Sequence, residues 1–393
     1  MKRLVVALLL LPAAAGYVSA AGFNLPEQSA AALGMSAAFV GQADDASAVW
    51  YNPAAITRFE GTKLAAGVIA IAPDMKHENT NGTTDKAAPQ IHLTPHFYAT
   101  HKINDTMAAG MGINVPFGLA TKWSHTSATK SVATLSDIRA ININPTFAYK
   151  INNQVSAAAG ISYVYLDAEL DKMLGANEFK LTGKDSGWGA NAALFYTPTE
   201  KIHVGATYRT EVAVKIEDGT AEFPAGTKND ASTKVTLPAQ AAIGVSYKAT
   251  PKLNVNCDVN FTGWSSYDKL VIKMPSSTST DTKEWKDVWA LRIGGQYELN
   301  DTWKLRAGYM HDNNPVPEKR FETRIPDSDR NGYSVGAGWK KGNIVVDAAY
   351  MYLRFNTREI TASQAGGTTV VTALNGTYKA ISHLAGLTVG YSF

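Results

Sequence analysis

Strict alternation of apolar and polar residues is the feature that most constrains this chain. Between Lys252 and Gly263 every odd position is apolar and nearly every even position is polar. Because successive side chains on a β-strand point to opposite faces, this segment predicts a strand with one apolar and one polar face. The pattern returns between His383 and Phe393. Repeated strands of this kind, the last of them finishing on an aromatic residue, are typical of a barrel whose outer face meets lipid.

The first twenty residues have the composition of a secretory signal. Lys2 and Arg3 precede an apolar run, which is followed by the small-residue cleavage site Val18-Ser19-Ala20. The apolar run is too short for a spanning helix, and no later stretch holds roughly 18 uninterrupted apolar residues. We therefore predict a signal peptide over residues 1–20 and no helical membrane segment.

Composition excludes several classes of protein. A single cysteine in an exported chain excludes an internal disulfide framework. By parity Cys257 lies on the apolar face of its strand, so we interpret it as a small hydrophobic residue. A net charge of +3 on 393 residues is too weak to indicate nucleic-acid binding. No nucleotide loop or Cys/His metal cluster is present, and we expect no cofactor.

Turn chemistry gives the number of strands. Short polar turns rich in Asn, Asp, Pro or Gly, as hairpins require, lie at Lys102–Thr106, Ile151–Gln154, Thr197–Lys201, Ala249–Lys252, Leu299–Thr302 and Lys340–Asn343. Longer polar segments lie near 73–90, 118–139, 166–186, 215–235, 264–286, 312–330 and 356–377. The strands between them are predicted near 62–72, 91–101, 107–117, 140–150, 154–165, 187–197, 201–214, 236–248, 252–263, 287–298, 302–311, 331–340, 343–355 and 378–393.

These fourteen strands predict an all-β transmembrane barrel over residues 62–393. Short turns on one side, long loops on the other and an even strand number match an outer-membrane barrel. A soluble sandwich would mix long and short connections, and a β-propeller would repeat every 40–50 residues or so. We therefore expect a multi-pass barrel in the outer membrane of a Gram-negative bacterium, in contact with lipid and monomeric.

Residues 21–61 do not follow the strand pattern. An Ala/Gly-rich stretch from Ser29 to Val40 predicts a short helix with Ser29 as its N-cap, and Asp44-Asp45 predict a second short turn. The segment carries too many large apolar residues for a mobile tail. A fourteen-stranded barrel has a lumen that its own side chains do not fill. We predict that residues 21–61 form a partly helical plug, called the hatch below.

Several motifs of this chain resemble those of the FadL family of outer-membrane transporters. The motifs are Ala21-Gly22-Phe23-Asn24-Leu25, Asp44-Asp45-Ala46-Ser47-Ala48-Val49, Asn52-Pro53-Ala54, Pro116-Phe117-Gly118-Leu119-Ala120-Thr121, Leu237-Pro238-Ala239, Pro315-Val316-Pro317 and Ile325-Pro326-Asp327. The resemblance implies a fourteen-stranded barrel that takes up hydrophobic molecules, typically long-chain fatty acids and in some relatives aromatic hydrocarbons. It also implies an inner pocket closed by the N-terminus and sideways release through a kink in the third strand.

The resemblance also implies particular site residues. The kink would fall at Gly118, after Pro116, because proline removes a ladder donor and glycine tolerates a bend. Phe23 matches an aromatic residue inserted into the ligand pocket; plug packing alone is the alternative. Asn52, Pro53 and Ala54 match a signature that abuts the kink, although a tight turn at the end of the plug would use the same residues.

Two lysines match the family's basic residues for a ligand carboxylate. Alignment places Lys172 and Lys286 near these positions, where a charge-assisted hydrogen bond would hold a fatty-acid head group. Solvated loop lysines are the alternative. Family members use arginine at one of these places, and lysine lacks the bidentate fork of arginine.

Other functions are less well supported by the sequence. Ser266-Tyr267-Asp268-Lys269 satisfies an S-x-x-K pattern without its companion motifs, and His92 and His96 have the spacing of a helical metal pair but lie in a predicted strand. We therefore expect no enzyme activity. A general diffusion porin and a barrel enzyme remain the rival hypotheses, and the choice between fatty acids and aromatic hydrocarbons stays open.

Overall fold

The computed structural model describes residues 22–393, so the predicted signal peptide lies outside the described residues. Within this range two short α-helices occur, α1 (Ala30–Leu33) and α2 (Ala48–Tyr51). The 3₁₀ helices are Pro53–Arg58, Pro224–Gly226, Trp264–Ser266, Glu318–Arg320 and Thr372–Leu374. The strands are β1 (Thr62–Asn79), β2 (Thr84–Lys86), β3 (His92–Lys102), β4 (Met107–Lys122), β5 (Leu135–Lys150), β6 (Val155–Leu174), β7 (Asn177–Thr199), β8 (Ile202–Arg209), β9 (Val212–Glu222), β10 (Lys228–Leu237), β11 (Gln240–Thr250), β12 (Leu253–Thr262), β13 (Lys269–Met274), β14 (Ser277–Thr282), β15 (Val288–Glu298), β16 (Trp303–Asp312), β17 (Arg330–Lys341), β18 (Ile344–Phe355), β19 (Arg358–Ile360) and β20 (Gly376–Ser392).

The strands form a closed antiparallel barrel. β1 pairs with β3 on one side and with β20 on the other, which joins the last strand to the first. Two of the fourteen barrel strands are each interrupted once. One consists of β8 and β9, with the interruption between Arg209 and Val212, and the next consists of β10 and β11, with the interruption between Leu237 and Gln240. The prediction of a fourteen-stranded barrel is confirmed.

The alternating pattern of β12 separates the two surfaces of the wall. Val255, Cys257 and Val259 are exposed on the outside, whereas Asn256 and Asp258 are buried in the lumen. An apolar outside and a polar inside are what a lipid-embedded barrel requires. Among residues 22–393, no helix is long and apolar enough to cross a membrane.

Four segments that the sequence predicted as loops are largely strand. The region 73–90 contains the end of β1 and the whole of β2. The region 166–186 is the far end of the β6–β7 hairpin, 215–235 belongs to the β9–β10 hairpin, and 264–286 contains the β13–β14 hairpin. Two-faced alternation requires lipid on one side and the lumen on the other. At the end of β6, for example, the outward-facing positions are Asp167 and Glu169, so the apolar outer face that marks a lipid-facing strand is absent.

The hatch lies inside the barrel and contains the two short α-helices. The Ser29 hydroxyl accepts the N–H of Ala32 over 3.3 Å, which confirms the predicted N-cap. The helix ends at Leu33 rather than near Val40, since Ser36 and Ala37 have left-handed φ angles of 52° and 61° that no α-helix continues.

Glycines of the wall let the hatch backbone approach closely. A Cβ atom built on Gly308 would overlap the backbone of Met35, and one on Gly294 would lie 2.7 Å from the Met35 Cβ atom. The hatch therefore packs directly on the barrel backbone at these positions, with no room for a larger side chain between them.

Candidate functional site

A break in the wall lies between β3 and β4. The two strands pair from Lys102 with Ala108 as far as Phe97 with Ile113, and residues 92–96 of β3 then pair only with β1. β4 stays with β5, but its register is irregular between Asn114 and Phe117. Pro116 therefore lies within the irregular stretch, and Gly118 follows it. Beyond Ile113, the two strands separate and leave an opening.

The hatch occupies the free edge of β4 at this opening. The N–H of Leu25 donates to the carbonyl of Pro116, and the N–H of Gly118 donates to the carbonyl of Phe23, both over 2.9 Å. Asn24 and Phe117 form the antiparallel bridge between these two bonds. The chain at Phe23 to Leu25 thus satisfies backbone groups that β3 leaves without a partner.

Close packing explains the glycine at position 118. A Cβ atom on Gly118 would lie 3.0 Å from the Cδ1 atom of Leu25 and 3.7 Å from the carbonyl oxygen of Ile138. The φ angle of Gly118 lies outside the left-handed region, so the backbone itself would accept another residue. Any larger side chain at this position would meet the hatch.

Gln28 forms hydrogen bonds to β4 at the break, although no sequence motif indicated it. Its Nε2 atom donates to the carbonyl of Val115 over 2.9 Å, and its Oε1 atom accepts from Nδ2 of Asn114 over 3.0 Å. Asn142 extends this chain of amides by donating to Asn114 over 2.8 Å. A polar residue in a plug gives no signal in a sequence, because only the fold shows which carbonyl it satisfies.

Replacing Gln28 by Leu should loosen the hatch at the break. The Val115 carbonyl would stay buried without its side-chain donor, which costs about 1–3 kcal/mol. We expect faster amide hydrogen exchange across residues 23–28 while the strands of the barrel remain protected. The matched control is Gln154→Leu at an exposed turn, and equal exchange in both variants would contradict this role of Gln28.

Phe23 lies in a cage of aromatic rings. Its ring centroid is 4.6 Å from that of Trp264 and 6.0 Å from those of Phe117, Tyr267 and Trp285. The Phe23 side chain is only 2% exposed. The four residues around Phe23 are called the aromatic cage below. Edge-to-face rings at such distances stabilise each other by about 0.5–1.5 kcal/mol per pair beyond their buried area.

Phe23 also separates two cavities. The wall cavity, of about 380 Å³, lies at the opening and is lined by apolar residues that include Leu25, Ile71, Leu119, Ile325 and Leu353. The loop-side cavity, of about 50 Å³, lies among β6, β7, β10 and β13 and is lined almost entirely by apolar groups. Phe23 and Ile138 line both cavities, so the Phe23 ring stands between them.

Asn52, Pro53 and Ala54 lie elsewhere in the hatch. The Asn52 amide donates to the carbonyls of Val40 and of Leu194 in β7, over 3.2 and 3.1 Å. Its Oδ1 atom accepts the N–H of Ala54, so Asn52 caps the 3₁₀ helix Pro53–Arg58. Asn52 thus forms hydrogen bonds within the hatch and to β7, whereas Gln28 forms hydrogen bonds to β4 at the break.

The two lysines aligned with carboxylate-binding positions lie outside the residues that line the two cavities. Lys286 is exposed, and the Lys172 ammonium stands 5.8 Å from the Phe179 ring centroid. The buried lysine of this region is Lys283, which forms ion pairs with Asp281 and Glu322. Although burial opposes it, these carboxylates hold the pKa of Lys283 above its usual value.

A loop carboxylate accepts a hydrogen bond from the hatch at Gly22. Asp327 Oδ2 accepts the N–H of Gly22 over 2.7 Å, next to the aromatic cage. Burial raises the pKa of Asp327 to about 6, even though Arg330 and the Gly22 N–H favour the charged form. Asp327 and Pro326 belong to the Ile325-Pro326-Asp327 motif and line the wall cavity.

Comparison with known proteins places this architecture in a family. A family model described as "Outer membrane protein transport protein (OMPP1/FadL/TodX)" matches residues 11–393. The chain is 28% identical to outer membrane protein P1 of Haemophilus influenzae over 97% of both chains. It is 27% identical to the long-chain fatty acid transport protein of Escherichia coli, over 84% of this chain and 88% of that protein.

Solved structures share the fold. A FadL homologue from Pseudomonas aeruginosa superimposes with a TM-score of 0.84 at 20% identity, over 95% of this chain and 100% of that chain. The toluene transporter TbuX from Ralstonia pickettii gives a TM-score of 0.71 at 16% identity, over 92% of this chain and 98% of that chain. With its closed barrel, its hatch and a family match over nearly its whole length, the chain belongs to the OMPP1/FadL/TodX family of outer-membrane transport proteins.

Proposed function

We propose that this protein carries hydrophobic molecules from the loop side of the barrel to the membrane through the opening between β3 and β4. The observation that carries the proposal is the pair of apolar cavities on either side of Phe23, one of which lies at the opening. Displacement of Phe23 would join them into one path. Sideways release suits such a ligand, because each CH₂ group gains about 0.8 kcal/mol on leaving water for an apolar phase.

Long-chain fatty acids are the substrate class that we propose first. A relative from Escherichia coli bears the name long-chain fatty acid transport protein. An elongated ligand could extend from the aromatic cage along the wall cavity towards Ile71 and Leu353. Within this proposal Lys172 and Lys286 hold the carboxylate before the ligand passes Phe23, and their side chains would have to turn towards the loop-side cavity.

The aromatic cage favours a second candidate, an aromatic hydrocarbon. Trp264, Tyr267 and Trp285 surround the Phe23 ring, and a neutral aromatic ligand could take the place of that ring with the same ring contacts. The charge of Lys283 is already balanced by Asp281 and Glu322, so it offers no free cation to a head group.

Neither candidate requires a chemical step, and we propose that the protein is a transporter without enzyme activity. We also propose that it is not a general porin, because the hatch helices and the 3₁₀ helix Pro53–Arg58 pack against the lumenal wall. Planar-bilayer recordings should therefore show little ion conductance.

Binding of matched ligands tests the substrate class. Purified protein should bind oleate and oleyl alcohol more tightly than toluene if fatty acids are the substrate. Changing both Lys172 and Lys286 to Met keeps most of each aliphatic stem and deletes the charge. We expect oleate binding to weaken about tenfold, the loss of one charge-assisted hydrogen bond, while binding of oleyl alcohol is unchanged.

Three outcomes separate the candidates. Equal weakening for oleate and oleyl alcohol would reject the lysines as carboxylate partners. Tight toluene binding with weak oleate binding would favour the aromatic hydrocarbon. Absence of binding for all three ligands, in protein that retains its heat-modifiable barrel, would contradict the transport proposal itself.

A further inference from the structure

The wall cavity changes its chemistry along its length. Towards the hatch it is lined by Leu25, Leu119 and Ile325, and at the opening by His92, Asp137 and Arg139. Ile91 and Leu93 also line it and are 70% and 62% exposed on the outer face. The polar end of the cavity therefore reaches the outer surface of the barrel.

Arg139 is a cationic residue at the polar end of the wall cavity. It pairs through its backbone with Gly118, and its side chain is exposed. Within residues 22–393 its guanidinium forms no hydrogen bond and no ion pair. The other arginine of the cavity, Arg330, is buried and bound to Asp312 over 3.1 Å. Arg139 thus keeps its five N–H donors available to a ligand.

His92 adds a second polar group beside Arg139. Its Nε2 atom is buried and lacks a hydrogen-bond partner in the described part of the chain. An unsatisfied buried polar atom of this kind is costly, and an oxygen atom of a ligand would satisfy it. The charges of Asp137 and Arg139 both act on the His92 ring, which places the three side chains in one electrostatic neighbourhood.

The opposite end of the cavity is unfavourable for an anion. Glu27 and Asp327 contribute carboxyl groups there, and Arg330 is already paired with Asp312. A negatively charged head group would face carboxyl groups at that end and a free guanidinium at the opening. Electrostatics therefore orients an amphiphilic ligand with its head group at Arg139 and its alkyl chain along the apolar wall.

We propose that Arg139 and His92 form a carboxylate subsite at the wall opening, where an anionic amphiphile places its head group during release. The proposal rests on the lateral route proposed above and narrows its substrate class to fatty acids. Asp137 lies on the same strand two residues away and weakens the subsite by its negative charge. Arg139 is thereby a specificity-determining residue.

Charge-removing variants test the subsite on purified full-length protein, with oleate and oleyl alcohol as probes. Arg139→Gln should weaken oleate binding about tenfold and leave oleyl alcohol unchanged, since only the carboxylate uses the guanidinium. Asp137→Asn should strengthen oleate binding. His92→Phe keeps a planar aromatic side chain but removes both ring nitrogens, and it should weaken the binding of both ligands by a few-fold. The matched control is Lys184→Gln on β7, an exposed cation that does not line the cavity.

Other outcomes would overturn the proposal. Equal losses for oleate and alcohol in Arg139→Gln, or the same loss in Lys184→Gln, would mean that Arg139 acts through packing or overall charge. Weaker oleate binding in Asp137→Asn would make Asp137 a structural partner of Arg139. If Arg139→Gln lost co-purified lipid phosphate but bound oleate as before, Arg139 would instead bind a membrane-lipid head group. Unchanged oleate uptake when the opening is blocked at Gly118 would instead refute the lateral route itself.

Discussion

Gly118→Leu should reduce uptake of a long-chain ligand by at least about tenfold while the barrel still assembles. A Cβ atom at this position already lies 3.0 Å from Leu25, so the rest of a leucine side chain must displace the hatch or fill the wall cavity. Overpacking of this kind costs about 1–3 kcal/mol locally. Uptake by cells that lack their own transporter would measure the block, and heat-modifiable mobility would report assembly.

Gly295→Leu is the matched control for this variant. Gly295 is also a wall glycine, but an added Cβ atom would meet only the carbonyl oxygen of Asn254, at 3.7 Å. It should therefore transport as the wild-type protein does. Normal uptake by a well-assembled Gly118→Leu barrel would count against release between β3 and β4.

Phe23→Ala should join the two cavities and raise the apparent affinity for a long-chain ligand about tenfold or more. In the wild-type protein the Phe23 ring fills the aromatic cage, so a ligand that uses this path must displace it. A binding-competent state that is rarely populated lowers the apparent affinity by its fraction, and removal of the ring abolishes that cost. Quenching of the fluorescence of Trp264 and Trp285 on titration with ligand would measure the change.

Phe39→Ala separates this effect from a general loss of packing. Phe39 is a fully buried hatch residue whose ring lies 5.3 Å from that of Tyr51, and it lines neither cavity. Both truncations remove a buried phenyl ring, which typically costs 3–5 kcal/mol or so. If Phe39→Ala raised the affinity equally, or if Phe23→Ala left it unchanged, Phe23 would have only a packing role.

The barrel could be predicted from the sequence because lipid imposes a simple rule on each strand. In β12, Val255, Cys257 and Val259 face outward and Asn256 and Asp258 face inward, and polar turns set the strand count. The rule gives no signal where a strand is polar on both faces, as β14 is, so the β13–β14 hairpin was predicted as a loop. The N-cap at Ser29 was also predicted, since capping depends on neighbouring residues only.

The sequence by itself thus determined the closed barrel and the plug. Only the tertiary structure decided which residues meet at the opening. Gln28 binds Val115 from 87 positions away, and Gly118 is restricted by Leu25 rather than by its own φ angle. Arg139 reaches the opening because β5 continues beside the displaced β4. Such contacts depend on strand register and on the separation of β3 from β4. The local periodicity of the sequence predicts neither.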